Sequence, residues 1–377
     1  MKRIALPVLA CLLLGCGLWS VRLAGAAEDA KRPVVQMAIL LDTSGSMTGL
    51  IAQAKTQLWQ IVNEFITARH NGVRPELQVA LYQYGTPSLG ADNGYIRQVL
   101  PLTDDLDKVS DELFKLTTNG GDEYCGWVIK RATEELKWSD GASAYKAIFI
   151  AGNEPFTQGQ VDYRTSCKAA IAKGIIVNTI HCGMEQSRED EGWRDGAALA
   201  DGRFLQIDQN ARVVQIQAPQ DKQIAELGAQ LNGTYVPYGA KGKEGQMGQA
   251  AQDSNSASLG AANLASRTLT KANAYYRNES WDLVDAVTNG KVKLEDVKNE
   301  ELPVEMQKMT RVEQQAHVEG QAKRRAEIQK QINDLNEQRK GYVAAEEKKQ
   351  AQGAPAELGK VMRDAVREEA AKKGYSF

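Results

Sequence analysis

Between residues 34 and 47 the chain reads VVQMAILLDTSGSM. A largely apolar run stops at a carboxylate, and hydroxyls follow at alternate positions, giving Asp42, Ser44 and Ser46 with Gly45 between the serines. Glycine permits a tight turn, so three oxygen donors can converge on one point. Hard oxygen ligands with one carboxylate suit Mg²⁺, or Ca²⁺ or Mn²⁺, and not zinc, which favours nitrogen and sulfur. A plain helix start would also use these residues, since Asp and Ser side chains cap free backbone amides.

The elements around the motif decide where those oxygens sit. VVQMAILLD has the continuous apolar character of a strand covered on both faces. After it, Leu50, Ile51, Ala54, Leu58, Ile61, Val62 and Phe65 recur at helical spacing, which predicts an amphipathic helix packed on a sheet. LQVALYQYG and YIRQVLPL then read as strands joined through a Gly/Asn-rich turn, and TDDLDKVSDELFKL and EYCGWVIKRATEELKW read as helices. The strand KAIFIAG, a helix around SCKAAIAKG and the strand IIVNTIHCG follow. This order predicts a doubly wound, mostly parallel α/β sheet with helices on both faces. Ligands of such sheets bind at the carboxyl ends of the strands, where DTSGSM falls. AALADGRFLQI and GAQLNGTYVPY both read as a helix end, a Gly turn and a strand, one the last core strand and the other an added edge element.

AILLDTSGSM at the end of a first strand resembles the first loop of von Willebrand factor A domains, whose metal ion-dependent adhesion site is built on Asp-x-Ser-x-Ser. The resemblance covers residues 33–240 and implies a Rossmann-like fold and a cation held by Asp42, Ser44 and Ser46. It also implies two companion loops, Gly-Gly-Thr before the third helix and Thr-Asp-Gly after the fourth strand. Here the first reads NGGDEYCG, with Asp122 in place of the threonine, and the second reads FIAGNEPF, with Gly152 in place of the aspartate and Asn153 and Glu154 beside it. The expected ligand set is therefore Asp42, Ser44, Ser46, Asp122 and Glu154, with Thr117 and Thr118 as alternative hydroxyl donors. The resemblance further implies a protein ligand that completes the coordination with an acidic side chain. An Asp122 bound directly to the cation would weaken that preference by adding negative charge at the open position.

The remaining chain is unlike this half. Residues 1–27 join Lys2 and Arg3 to an apolar run and small residues, the layout of a secretory signal, and LLGC ending at Cys16 resembles a lipoprotein processing site. The expectation is a periplasmic or secreted protein, either cleaved after residue 26 or anchored through Cys16. Residues 241–265, rich in Gly, Ser, Asn, Gln and Ala, read as a flexible linker, and 266–377 as a charged helical region. Within it Ile328, Ile332, Leu335 and Tyr342 suggest a short coiled-coil seam, with a solvated helix or helical hairpin as the competing reading and an envelope or subunit contact as its role. The formal charge is −2, and removing the leader takes away three basic residues and no acidic one. Nucleic acid is thereby disfavoured as a partner. Cys125, Cys167 and Cys182 allow at most one bridge, for which Cys167 with Cys182 is the expected pair and Cys125 the competitor.

Three functions remain open on this reading. One is a non-enzymatic exported module presenting a cation-dependent site. Another is a structural envelope protein with a vestigial site. The third is a hydrolase in which Asp122, Glu123 and Glu154 surround a water-activating cation. No Ser/His/Asp or Cys/His spacing and no Gly-rich phosphate loop supports the third.

Overall fold

Eight of the nine residues of strand β1 (Val34–Asp42) are buried, because it runs through the interior of a six-stranded sheet. The computed structural model describes residues 32–183, 190–211, 213, 215–350 and 356–377; the leader and Cys16 lie outside the described residues. After β1 come α1 (Thr48–Asn63), the two-residue β2 (Arg69–His70), β3 (Glu76–Tyr84), β4 (Ile96–Thr103), α2 (Leu106–Lys115), α3 (Cys125–Glu135) and β5 (Tyr145–Gly152). Next are α4 (Tyr163–Ala172), β6 (Ile176–Cys182), α5 (Asp190–Leu199) and β7 (Phe204–Ile207). The C-terminal part adds α6 (Asp221–Asn232), α7 (Gly242–Ser258), α8 (Ala261–Lys271), α9 (Leu283–Thr288), α10 (Val304–Gln307), α11 (Arg311–Gln350), α12 (Leu358–Lys372) and β8 (Tyr375–Ser376).

The sheet order is β4-β3-β1-β5-β6-β7, parallel throughout except that β4 runs antiparallel to β3. This is the doubly wound α/β fold expected. The two-residue periodicity of β1 splits the core: Val35, Met37, Ile39 and Leu41 face one side, and Ala38 and Leu40 the other. The first side is covered by α1, α2 and α12, the second by α3, α4 and α5. AALADGRFLQI supplies the edge strand β7, whereas the segment 233–238 directly after α6 joins no sheet and makes only an isolated bridge between Pro237 and Asp282.

Covering the first side depends on the end of the chain. Helix α12 contributes Leu358, Met362, Ala365, Val366 and Ala370 to that core. Its entry is fixed by α1, where Gln53 Oε1 accepts from the Leu358 amide at 3.0 Å and Gln57 Oε1 from the Gly359 amide at 2.6 Å. These side chains satisfy helix-start amides that otherwise lack partners. Buried Glu369 accepts from Tyr145 Oη at 2.7 Å and from Asn178 Nδ2 at 3.0 Å, tying α12 to β5 and β6. Finally, Tyr375 Oη donates to the carbonyls of Val34 and Ser143, and β8 pairs with β2.

Residues 241–265 are not a flexible linker. They form α7 and the start of α8, whose inward residues are polar: Gln249, Gln252, Ser256 and Asn263 are all buried. Small and amide side chains carry no hydrophobic periodicity, yet they pack because specific bonds satisfy them. Trp59 Nε1 donates to Ser256 Oγ at 2.9 Å, and Gln249 donates to Tyr276 Oη at 3.1 Å. Fully buried Arg267 lies 2.6 Å from Asp107 and 3.0 Å from Asp253, over the rings of Trp59 and Tyr276. The charged network thus joins α8 to α1, α2 and α7.

The coiled-coil expectation also changes. Ile328, Ile332 and Leu335 of α11 pack against Ile224, Leu227 and Leu231 of α6 and Leu269 of α8, so the seam's partner lies in the same chain. Arg339, which interrupts the seam, pairs with Asp221 at 2.6 Å. No disulfide forms among the described cysteines: Cys125, Cys167 and Cys182 are free and buried. Cys167 belongs to the core on one side of the sheet and Cys182 to that on the other, which separates the expected pair.

Two substitutions test this packing. Met362→Ala is expected to lower the unfolding free energy by about 2–5 kcal/mol, as for large-to-small changes in a core. Arg267→Ala, which removes a fully buried cation from between the part-buried carboxylates of Asp107 and Asp253, is expected to cost about 3–5 kcal/mol. Urea melts beside Tyr342→Ala, at an exposed position on α11 where the change stays within about 0.5 kcal/mol, give the comparison.

Candidate cation site at the carboxyl ends of the strands

Asp42 is the last residue of β1 and has no solvent exposure. Its Oδ1 accepts from the Ser44 amide at 2.7 Å, closing the turn on itself, while Oδ2 is buried without a hydrogen-bond partner. The turn is pinned on two sides. The Thr43 amide and hydroxyl both donate to Tyr84 O, at 2.8 and 2.9 Å, and the Asn119 amide donates to Thr43 O at 2.9 Å. Ser44 Oγ lies 3.1 Å from Ser46 Oγ, which donates to Asn153 Oδ1 at 3.2 Å. The first loop and the loop after β5 therefore meet through side chains.

Of the remaining expected ligands, Asp122 is exposed, and it is Glu123 that is buried beside Asp42. The carboxyl brought up to Asp42 is thus one position on from the expected one. Gly121 packs so closely on Gly85 that a Cβ there would lie 2.6 Å from Gly85 O, and the chain then buries the next-but-one residue. Gly85 in turn has φ +82°, and a Cβ on it would lie 2.6 Å from Asp42 Oδ1 and 3.0 Å from Glu123 Cγ. Only glycine meets both demands, so Gly85 is the floor between the two carboxyls.

Glu154 is half-buried, and its Oε2 accepts from Gln158 Nε2 at 3.3 Å; Gln158 Oε1 accepts from the Glu123 amide at 3.0 Å. Gln158, to which the sequence reading gave no role, thus ties the loop carrying Glu123 to the loop carrying Glu154. Thr118 reaches the first turn of α1, with its Oγ1 2.8 Å from Thr48 Oγ1. At Gly152, where the resemblance calls for aspartate, a Cβ would lie 2.6 Å from Tyr84 Oη and 3.1 Å from Asp42 Oδ2. Tyr84, whose Oη donates to Ala151 O at 2.8 Å, fills that space instead.

Burial governs the charges here. It pushes the Asp42 carboxyl up to about 7, opposed by the Ser44 amide and hydroxyl and the nearby Asn153 amide and helped by the charge of Glu154. Burial likewise raises Glu123 to about 8, helped by Asp42 and Glu154 and opposed by the Ser44 hydroxyl. Beneath them the thiol of Cys125 and the phenol of Tyr84, both wholly buried, sit well above their ordinary values.

The arrangement brings together oxygens only. Among the described residues no three His, Cys, Asp or Glu side chains cluster so as to hold a metal ion. A site of one or two carboxylates and serine hydroxyls does not require such a cluster, and the orphaned Asp42 Oδ2 fits a hard cation. Asp42, Ser44, Ser46 and Glu123 are the residues that would hold it.

Both the six-stranded topology and the placement of Asp42 at a central strand end agree with the sequence comparison. Residues 36–217 match the family model of the von Willebrand factor type A domain. The match stops before α6, so the A domain as a sequence unit omits α12, which its core requires. No curated protein matches the sequence. Among solved structures, proximal thread matrix protein 1 from the mussel byssus is 14% identical at a TM-score of 0.36, covering 46% of this chain and 41% of that one. The conserved hypothetical protein BatB from Bacteroides thetaiotaomicron is 19% identical at 0.36, covering 46% and 90%. The SpRpn10 VWA domain is 15% identical at 0.37, covering 48% and 90%. This chain spans less than half of the mussel protein, one structure of which has a zinc-occupied MIDAS motif.

The raised carboxyls predict a pH dependence. The folded chain holds protons on Asp42 and Glu123 that the unfolded chain, with ordinary values of 3.8 and 4.5, has released. Their stabilising contribution is complete below about pH 4 and is lost as pH rises through about 7 to 8. In chelator, the unfolding free energy should therefore fall between these limits more steeply for the wild type than for an Asp42→Asn, Glu123→Gln double variant. Equal slopes in urea melts across that range would contradict the assignment.

Proposed function

We propose that the protein is an exported, non-enzymatic binding or scaffold protein whose A domain presents a divalent-cation-dependent site to a protein ligand. The observation that carries this reading is the buried, unpartnered Asp42 Oδ2 at a central strand end, beside Ser44, Ser46 and the second carboxyl of Glu123. An isolated buried carboxylate is costly unless something compensates it. A bound Mg²⁺, Ca²⁺ or Mn²⁺ supplies that compensation and an open position for a partner's oxygen, such as an acidic side chain. The rigid loops do the rest: Thr43, Asn119 and Gln158 hold the donors in place before any ligand arrives.

Binding rather than catalysis is favoured by what surrounds the donors. The Ser44 hydroxyl pairs with that of Ser46 and supports the Asp42 and Glu123 carboxyls, and no histidine that would activate either serine bonds to them among the described residues. The nearby thiol of Cys125 is buried and held protonated. For the helical region we propose an envelope or subunit contact. Residues 340–349 of α11 bury no side chain and leave the end of that helix free for it. No helix among the described residues is long and apolar enough to cross a membrane. The leader's composition supports a periplasmic or secreted location, with Cys16 as the lipid attachment point if it is retained.

A second reading, a structural protein with a vestigial site, is favoured by Tyr84 filling the space beside Gly152. Thermal melts of the chain from residue 28, in EDTA or in Mg²⁺, Ca²⁺ or Mn²⁺, separate the two. A cation at 100 times its dissociation constant should stabilise the wild type by about 2.7 kcal/mol. Asp42→Ala should show no such gain. An unshifted wild type at millimolar cation selects the vestigial reading.

A further inference from the structure

Beside the cation loops lies an aromatic group that the coordination does not use. Tyr95, Tyr124 and Trp127 are each partly exposed. Tyr95 meets Tyr124 edge to face at 5.4 Å, and Tyr124 lies parallel to Trp127, 4° between planes and 6.3 Å between centroids. The backbone is shaped to hold them. Tyr95 adopts φ +56°, a left-handed conformation that a bulky residue occupies only when its surroundings impose it. A Cβ on Gly94 would lie 2.5 Å from the Trp127 ring, and one on Gly159 2.6 Å from the Tyr124 ring. Two glycines from different loops therefore make room for two rings at the surface.

The loops that carry and flank these rings have charge of one sign, while on the helix after Trp127 exposed Lys130 follows and Arg131 is paired with Glu135 at 2.6 Å. The four segments 42–47, 85–95, 116–124 and 153–162 contain Asp42, Asp92, Asp122, Glu123, Glu154 and Asp162, and no Lys, Arg or His. Arg164, just beyond, is engaged with Asp195 at 3.1 Å, and Arg97 donates to Gln83. Asp122, exposed, acts on the Tyr124 phenol from alongside. A cation held by Asp42 and Glu123 would offset those two carboxyls and leave Asp92, Asp122 and Asp162 exposed and Glu154 half-buried. Such a surface repels an acidic segment and attracts a basic one.

We propose that the rim of Tyr95, Tyr124 and Trp127, with Asp122, seats a basic side chain of the protein ligand, arginine above all. This rests on the A domain being a ligand-binding module and names its partner's chemistry as a cationic peptide segment. Arginine fits better than lysine because its flat guanidinium stacks on a ring face while its N–H groups fork onto a carboxylate. The fold makes the same contact internally, with Arg325 over Tyr235 at 4.1 Å while paired to Asp282. The metal's open position is a separate contact, so the basic residue binds beside it and not through it.

The test is fluorescence anisotropy with labelled nine-residue Gly/Ser peptides carrying three Arg, Lys, Gln or Glu residues, each titrated with the chain from residue 28 in Mg²⁺ and in EDTA. The expected order is Arg, then Lys, with Gln and Glu far weaker. Asp122→Asn and Tyr124→Ala should each weaken the Arg peptide at least fivefold, with the fold checked by the unfolding midpoint. Trp127→Leu replaces Tyr124→Ala if that variant melts early. A Glu peptide preferred in Mg²⁺, Arg binding indifferent to Tyr124 and Trp127, or binding of cellotetraose in place of the Arg peptide would each overturn the proposal. Arg preference without any Mg²⁺-dependent thermal shift would sink the cation reading alone. A Mg²⁺ shift without Arg preference would sink this inference alone.

Discussion

The structure is organised around a carboxylate that has no exposure and only half of its hydrogen bonding. Asp42 ends the buried strand β1, and its one partnered oxygen is satisfied by the turn that follows it. Everything adjacent is arranged to keep that geometry: Gly85 approaches where no side chain fits, Tyr84 holds Thr43 and Ala151, and Asn119 brings the neighbouring loop onto the turn. Polar groups buried without partners are rare because they cost folding free energy, and they concentrate where a ligand completes them. The second carboxyl, Glu123, deepens the same imbalance, since like charges brought together in a buried site favour protonation.

Precision at that rim depends on a sheet that cannot shift, and the sheet is secured by distant parts of the chain. One of its faces is closed by α12, which arrives after the long α11 and locks onto Gln53 and Gln57 of α1, the helix that follows the Asp42–Ser46 turn. The polar interior of α7 and α8, centred on Arg267, fixes the outer side of α1 through Trp59 and of α2 through Asp107. The helical region is thus a brace for the A domain, and residues 32–377 form one compact unit.

Much of this was readable from residues alone. Continuous apolar runs gave the parallel strands, and the positions of Leu50 through Phe65 gave the face of α1, because burial on both sides leaves a strong compositional mark. Asp42, Ser44 and Ser46 were legible because a strand end in this fold is a known place for ligands. Glu123 was harder: choosing between it and Asp122 depends on how Gly121 packs on Gly85, a contact between segments far apart in sequence. The helices over residues 242–271 were misread because Gln, Asn and Ser side chains carry their burial through specific hydrogen bonds. The pairing of Cys167 with Cys182 failed because nearness to one end of the sheet does not say which face each thiol takes.

On the proposed function, binding energy at this rim would divide between a cation and a shaped aromatic surface, one contributing strength and the other selectivity. The first depends on whether the oxygens of Asp42 and Glu123 enclose a cation. Anomalous diffraction from crystals grown with Mn²⁺ tests this most directly. The account predicts one anomalous peak within coordination distance of Asp42 Oδ2 and a Glu123 carboxyl oxygen. Well-ordered loops with no peak between those two carboxyls at millimolar Mn²⁺ would contradict it.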